Sequence, residues 1–264
     1  MTITRNEEQR KNRKHFTIYY LQVMTLDVHF KMNSIRLCIR SFSFCAVVLF
    51  PGLLPGQVTS SSILRIGQTQ DFELNGEGSA GEWLKAEWIT LPHREGVKTY
   101  RTQVKLLYSV AGIYCLFSCE DEKVISTMKN DFADLWKEDV VEAFFWPDES
   151  APLYFEYELS PANFELPILV PNFNGNFFGW RPWHFEGDRK TRHATHIALH
   201  SWNAEFFVPY SLLKPLSNVP PQKGTKWRCN FYRIDHDAGS SEWSWLPVRT
   251  NFHDIASFGM LLFD

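Results

Sequence analysis

What most constrains this chain is a two-residue alternation of side chains, repeated in short runs and hardly ever replaced by helical spacing. It runs through Ile113-Tyr-Cys-Leu-Phe-Ser-Cys119, Val140–Trp146, Tyr154–Leu159, Ala204–Val208 and Arg228–Ile234. Successive side chains of a strand point to opposite faces, so this spacing suits strands packed on a core. Turn chemistry separates the runs, in Trp146-Pro-Asp-Glu-Ser150, Ser160-Pro-Ala-Asn163, Val219-Pro-Pro-Gln-Lys-Gly224 and Asp235-His-Asp-Ala-Gly-Ser-Ser241. Helical stretches are scarce: one turn at Tyr210–Leu213 and a short helix at Ser126–Leu135. Short strands between Pro/Gly turns predict an all-β fold, an antiparallel, jelly-roll-like β-sandwich with few short helices. No Gly/Ser linker or internal repeat divides residues 70–264, which read as a single domain.

Charge is distributed unevenly. Residues 1–57 hold eight Lys or Arg against three acids, and the rest of the chain holds nineteen against twenty-seven. An acidic body releases no counterions from a phosphate backbone, which excludes nucleic acid as a partner. From Met32 the chain has the pattern of a secretory leader. Arg36 and Arg40 supply a positive start, Phe42–Leu54 an apolar run broken by Pro51 and Gly52, and Val58–Ser62 a Ser/Thr-rich exit. That run is short for a bilayer, so no stable membrane span is expected in the mature chain. Residues 32–60 are assigned to a signal peptide, and residues 1–31 to a mis-assigned start or disordered basic extension. An uncleaved anchor with a basic tail is the alternative. The expected location is periplasmic, cell-surface or extracellular. Cys115 and Cys119 lie four apart on one strand, roughly 13 Å, too far to bridge; they are expected as buried thiols, and no disulfide scaffold is implied.

Several segments, taken together, carry a resemblance. Leu106–Asp121 is followed by Leu135-Trp-Lys-Glu-Asp-Val-Val-Glu-Ala-Phe-Phe145, Tyr154-Phe-Glu-Tyr-Glu-Leu-Ser-Pro161 and Ala204-Glu-Phe-Phe-Val-Pro-Tyr-Ser-Leu-Leu213. The end reads Asn230-Phe-Tyr-Arg-Ile-Asp235, Trp243-Ser-Trp-Leu-Pro247 and Phe252-His-Asp-Ile-Ala-Ser-Phe-Gly259. In this order they resemble the family 9 carbohydrate-binding modules, especially the family-9-like domains of bacterial secreted proteins, over roughly residues 75–264. The resemblance implies a sandwich that holds a pyranose between two aromatic side chains while polar groups grip its hydroxyls. The C–H face of a sugar stacks on an indole, and its hydroxyls need placed donors and acceptors. Trp136 matches one stacking aromatic and Glu142, six residues on, a hydroxyl-binding carboxylate. Phe252 stands where characterised members carry the second aromatic, there a tryptophan, and Glu156 stands where sugar-binding relatives carry a strand arginine.

Each candidate also has a plainer reading. Trp136 can pack under a loop, although Asp134 and Lys137 beside it argue for an accessible position. Glu142 shares a strand face with Phe144, where a carboxyl needs a partner or a cleft. Phe252 suits ligand contact or core equally. Trp180 and Trp183, in Gly179-Trp-Arg-Pro-Trp-His-Phe185, extend the aromatic platform or anchor their loop. Trp243 and Trp245 alternate with Ser244 and point one way, toward the core.

Other classes compete. Jelly-roll glycoside hydrolases also present aromatics and paired carboxylates; Glu156 and Glu158 share one strand face, and Glu142 is a candidate neighbour. A haem-binding electron-transfer domain on the same fold needs axial ligands, and only Met128 and Met260 remain beyond the leader, without a C-x-x-C-H motif. His193, His196 and His200 have metal-like spacing for a helix, but on a strand His193 and His196 face opposite sides. The resemblance allows structural calcium, though no dense oxygen-ligand motif locates it. The sequence therefore supports an exported bacterial module that binds oligo- or polysaccharide non-catalytically in polysaccharide breakdown, alongside a separate glycoside hydrolase.

Overall fold

Alternation becomes architecture because each strand has two faces and both must be covered. A computed structural model describes residues 62–173, 175–214 and 216–264. The leader at 32–60 and the extension at 1–31 lie outside the described residues. In chain order the strands are β1 Ile63–Gln68, β2 Ile89–Thr90, β3 His93–Glu95, β4 Thr102–Tyr108 and β5 Gly112–Glu120. There follow β6 Val140–Trp146, β7 Leu153–Leu159, β8 Glu165–Phe173, β9 Asn176–Phe177 and β10 Arg181–Pro182. The last are β11 Arg192–Ala198, β12 Ser201–Pro209, β13 Lys226–Asp235, β14 Ser241–Ser244 and β15 Gly259–Phe263. Among the described residues the one α-helical turn, α1, is Tyr210–Leu213, as the sequence predicts.

The strands form two layers. The front layer runs β10-β8-β7-β6-β13-β15-β1, and the back layer runs β1-β4-β5-β12-β11. Strand β1 belongs to both: Ile63–Ile66 pair with β15 and Gly67–Gln68 with β4. Those two pairings are parallel, and the other pairings among the described strands are antiparallel. Because β1 precedes residue 70, the seam between the layers is made by a segment that the sequence reading left outside the domain.

Odd-numbered residues of the front strands meet the back layer. Val141, Ala143 and Phe145 of β6, Phe155 and Tyr157 of β7, and Phe231 of β13 are all fully buried there. From the back come Cys115 and Phe117 of β5 and Trp202, Ala204 and Phe206 of β12. Phe117 lies 6.0 Å from Phe206 and 6.4 Å from Phe231, and Tyr157 lies 4.5 Å from Phe206. Each such side chain contributes about 1.5–3 kcal/mol by leaving water. Trp243 and Trp245 join this layer, and Cys115, Cys119 and Cys229 are buried free thiols.

Both outer faces are apolar too. The back face carries Leu107, Tyr114, Leu116 and Phe207 under residues 72–86, where Phe72 stacks on Tyr114 at 4.2 Å. The front face carries Val140, Phe144, Tyr154, Ile168 and Tyr232. The segment Ser126–Leu135 is not the expected helix: it is a loop leading into the 3-10 turn Leu135–Lys137. Carboxylates hold its backbone open. Glu138 accepts the N–H groups of Thr127 and Met128, Asp131 accepts that of Glu165, and Phe132 has φ of 62°.

Gly259 opens β15 where its backbone runs against the indole of Trp245, so an added Cβ would strike that ring. Gly259→Ala is expected to lower unfolding free energy by about 1–3 kcal/mol. A urea titration checks this, and an unchanged midpoint would show that the close approach is not a packing constraint.

Candidate functional site

Even-numbered residues of the front strands point away from the core, and register decides what they build. Glu142 of β6 pairs across with Glu158 of β7, and Phe144 with Glu156. Directly opposed side chains lie about 4.5–5.5 Å apart at Cβ, and Glu156 and Glu158, two apart on one strand, lie roughly 7 Å apart. Three carboxyls therefore share one small floor. Around it rise Trp136 from the Leu135–Lys137 turn, Phe252 and His253 from the loop before β15, and Phe177 and Trp180 from the β9–β10 segment. Arg94, Glu95 and Glu242 form the rim of this cavity of about 430 Å³.

The floor is acidic yet dry. Glu142, Glu156 and Glu158 are 2%, 3% and 2% exposed. Burial pushes all three carboxyls well above their ordinary range; repulsion adds to it, from Glu158 and Glu242 on Glu142, from Glu142 on Glu156 and from Glu156 on Glu158. Glu156 Oε2 and Glu158 Oε2 have no hydrogen-bond partner. His253 Nδ1 lies 2.5 Å from the Tyr154 hydroxyl and 3.6 Å from Glu156 Oε2, and its ring stacks on Phe177 at 4.2 Å. Burial lowers its pKa to about 4, so at neutral pH it brings no positive charge. Arg94 donates to Glu95, Glu242 and the Thr250 carbonyl, which keeps its charge at the rim.

The aromatic walls are fixed from behind. Phe252 lies flat on Tyr232, 4.1 Å between centroids and 10° between planes, and its carbonyl accepts the Tyr232 hydroxyl. Trp136 is half-buried, with Lys137 Nζ 5.8 Å from its ring centroid.

No protein-family profile matches the chain. Among curated proteins it is 27% identical over 183 residues to a protein named "Extracellular protein" from Arthroderma benhamiae, spanning 62% of this chain and 78% of that one. Among solved structures it is similar to a candidate carbohydrate-binding protein from Bacteroides uniformis, with a TM-score of 0.64 and 18% identity over 76% of this chain and 99% of that one. It is also similar to a family 9 carbohydrate-binding module from Caldicellulosiruptor kristjanssonii. The cellotriose complex gives a TM-score of 0.56 at 15% identity, and the glucose complex 0.55 at 14%. Each covers 76% of this chain, with 94% and 96% of the respective module. The fold is that of the family 9 carbohydrate-binding modules.

On this family-9-like fold, five of the six expected site residues line one cavity: Trp136, Glu142, Glu156, Trp180 and Phe252. Trp183 stands apart. Its Nε1 donates to the Leu212 carbonyl at 2.7 Å and its ring meets Phe185 edge-on, so it anchors its loop against the inner layer. Sequence reasoning did not choose Glu158, Phe177, His253 or the Arg94–Glu242 rim as binding residues. Glu158 had a signal in its two-residue spacing from Glu156, and His253 one in its place beside Phe252; Phe177 and the Arg94–Glu242 rim come from segments with no local pattern.

A calcium site was sought in the same body. One oxygen each from Asp121, Asp139 and Asp235 lies within 4.8 Å of the others. Arg233 pairs with Asp121 at 3.1 Å and Asp235 at 2.6 Å. The backbone N–H groups of Ile125 and His236 take both oxygens of Asp139, and those of Lys123 and Asp237 take the remaining ones. Every carboxylate oxygen already has a protein donor and the positive charge is a guanidinium, so this cluster does not fit calcium.

Raised pKa values on the floor have a consequence for stability. Above the ordinary glutamate value of about 4.3, the folded state holds protons that the unfolded chain has lost, so stability falls as pH rises through the folded-state values. The Glu156→Gln/Glu158→Gln variant is expected to lose less stability than the parent between pH 5 and pH 9. Urea midpoints across that range measure it. Parallel curves would mean that the carboxyls are ionised in the folded state.

Proposed function

We propose that this protein binds carbohydrate without cleaving it, one sugar ring stacking between Trp136 and Phe252 over the carboxyl floor. The observation that carries this reading is the cavity itself, with aromatic walls and unsatisfied carboxyls on the outer face of the front sheet. An indole and a phenyl ring offer flat apolar surface to pyranose C–H bonds, and Glu142 with its two neighbours offers oxygens to hydroxyls. Proteins of the same fold solved with cellotriose and glucose support it. The leader-like segment and the relative named for an extracellular location support export. A role in polysaccharide breakdown beside a separate glycoside hydrolase completes the proposal. One or two rings bury little area, so affinity falls in the micromolar to millimolar range.

The pairing of Glu142 with Glu158 favours a second reading, glycoside hydrolysis. Hydrolysis needs two carboxyls with pKa values driven apart, one acid and one ionised partner. Here burial drives all three the same way, which favours binding.

Calorimetric titration with cello-, xylo- and manno-oligosaccharides tests the proposal, with recovered ligand checked for cleavage. Saturable heat and intact sugar are expected. Trp136→Ala is expected to weaken binding by at least about tenfold, or ~1.4 kcal/mol, with an unchanged far-ultraviolet spectrum. Shortened sugar would replace binding with hydrolysis, and parental affinity in Trp136→Ala would remove the stacking role.

A further inference from the structure

Elsewhere in this protein, buried acids are provided with partners. Asp121 and Asp235 close on Arg233, and Asp254 accepts three hydrogen bonds from Arg249. Glu205 accepts Trp83 Nε1–H at 2.7 Å and the backbone N–H groups of Asn75 and Gly76. Glu165 accepts the hydroxyls of Tyr157 and Thr191. On the cavity floor, held by Glu142, Glu156 and Glu158, the partners are fewer: Glu156 and Glu158 hydrogen-bond each other, and the Trp136 backbone N–H donates to Glu158. Among the described residues no Lys or Arg forms an ion pair with any of them, and one oxygen each of Glu156 and Glu158 has no partner. Both side chains are more than nine-tenths buried, and both line the cavity. The arginine of that cavity, Arg94, is committed to Glu95, Glu242 and the Thr250 carbonyl.

We infer that the cavity selects a sugar carrying a protonated amine, its ammonium seated on Glu156 and Glu158 while its ring stacks on Trp136 and Phe252. This rests on the carbohydrate-binding reading of the same site and narrows it to amino sugars with free amines. A hydroxyl both donates and accepts and carries no charge, whereas an ammonium offers three donors and a charge that favours the ionised form of Glu156 and Glu158, so its binding releases to water protons that the empty floor holds. Charge-assisted bonds to carboxylates are roughly twice as strong as neutral ones. Aromatic walls add attraction for a cation near their faces. N-acetylation removes the charge and enlarges the group, so the acetylated sugar loses on both counts.

The test is calorimetry of the protein at pH 7 with three trisaccharides: β-1,4-linked glucosamine, its fully N-acetylated form, and cellotriose. Glucosamine trisaccharide is expected to bind at least about tenfold more tightly than either of the others. In Glu156→Gln/Glu158→Gln, which keeps side-chain shape, that preference is expected to fall to within about twofold. Equal or tighter binding of cellotriose by the parent protein overturns the amino-sugar inference and leaves the carbohydrate-binding reading standing. Heat from none of the three overturns both. A preference that survives in the variant assigns it to the acidic surface at large and overturns the seat on Glu156 and Glu158. The series on the parent protein decides selectivity independently of the variant's folding.

Discussion

The rest of the structure depends on the register of β6 between β7 and β13. Glu142 stands opposite Glu158 on one side and Tyr232 on the other, and Ala143 stands opposite Tyr157 and Phe231. Side-chain direction reverses at every residue, so a slip of one position would exchange the two faces of a strand. Glu142 would then enter the aromatic interior, and Val141, Ala143 and Phe145 would face the cavity. The interior layer holds the register because aromatic side chains from both sheets pack against one another there.

Buried charge is handled in two ways within this sandwich. At one edge Arg233, fully buried, joins Asp121 at the end of β5 to Asp235 at the end of β13, with its guanidinium 4.8 Å from the Trp243 ring. In that cluster two carboxylates share one guanidinium inside the protein, which offsets part of the cost of taking ions out of water. On the cavity floor the same sheet carries three acids with no such complement. Such an arrangement does not strengthen the folded state, because neutral acids and repulsion both carry a free-energy cost. The contrast with Arg233 separates acids paired inside the protein from acids that line an opening.

Much of this was legible along the chain. The alternating runs became β5, β6, β7, β12 and β13, the Pro/Gly segments became turns, and the late tryptophans went to the core. The site was legible in part. Trp136 and Glu142 share one short block, and Phe252 lies in another, near the C-terminus. Arg94 and Phe177 reach the cavity from segments whose own sequence carries no sign of it. The Ser126–Leu135 stretch misleads because its backbone donors are taken by Glu138 and by strand β8, partners that local propensity does not see. Trp183 misleads differently: a tryptophan on a loop can face a ligand or pin the loop, and only the Leu212 carbonyl within reach of its Nε1 decides.

By itself the sequence determined the strands and the division of each into two faces, because periodicity is a local property of the chain. Which outer face would become a site was decided by tertiary structure. Both outer faces are apolar, yet residues 72–86 lie across the back one and bury Tyr114 and Leu116, while the front one keeps an opening over Glu142, Glu156 and Glu158. That difference arises from loops distant in sequence meeting over one sheet. Covering a face is a matter of where chain segments travel, and a two-residue pattern contains no information about it.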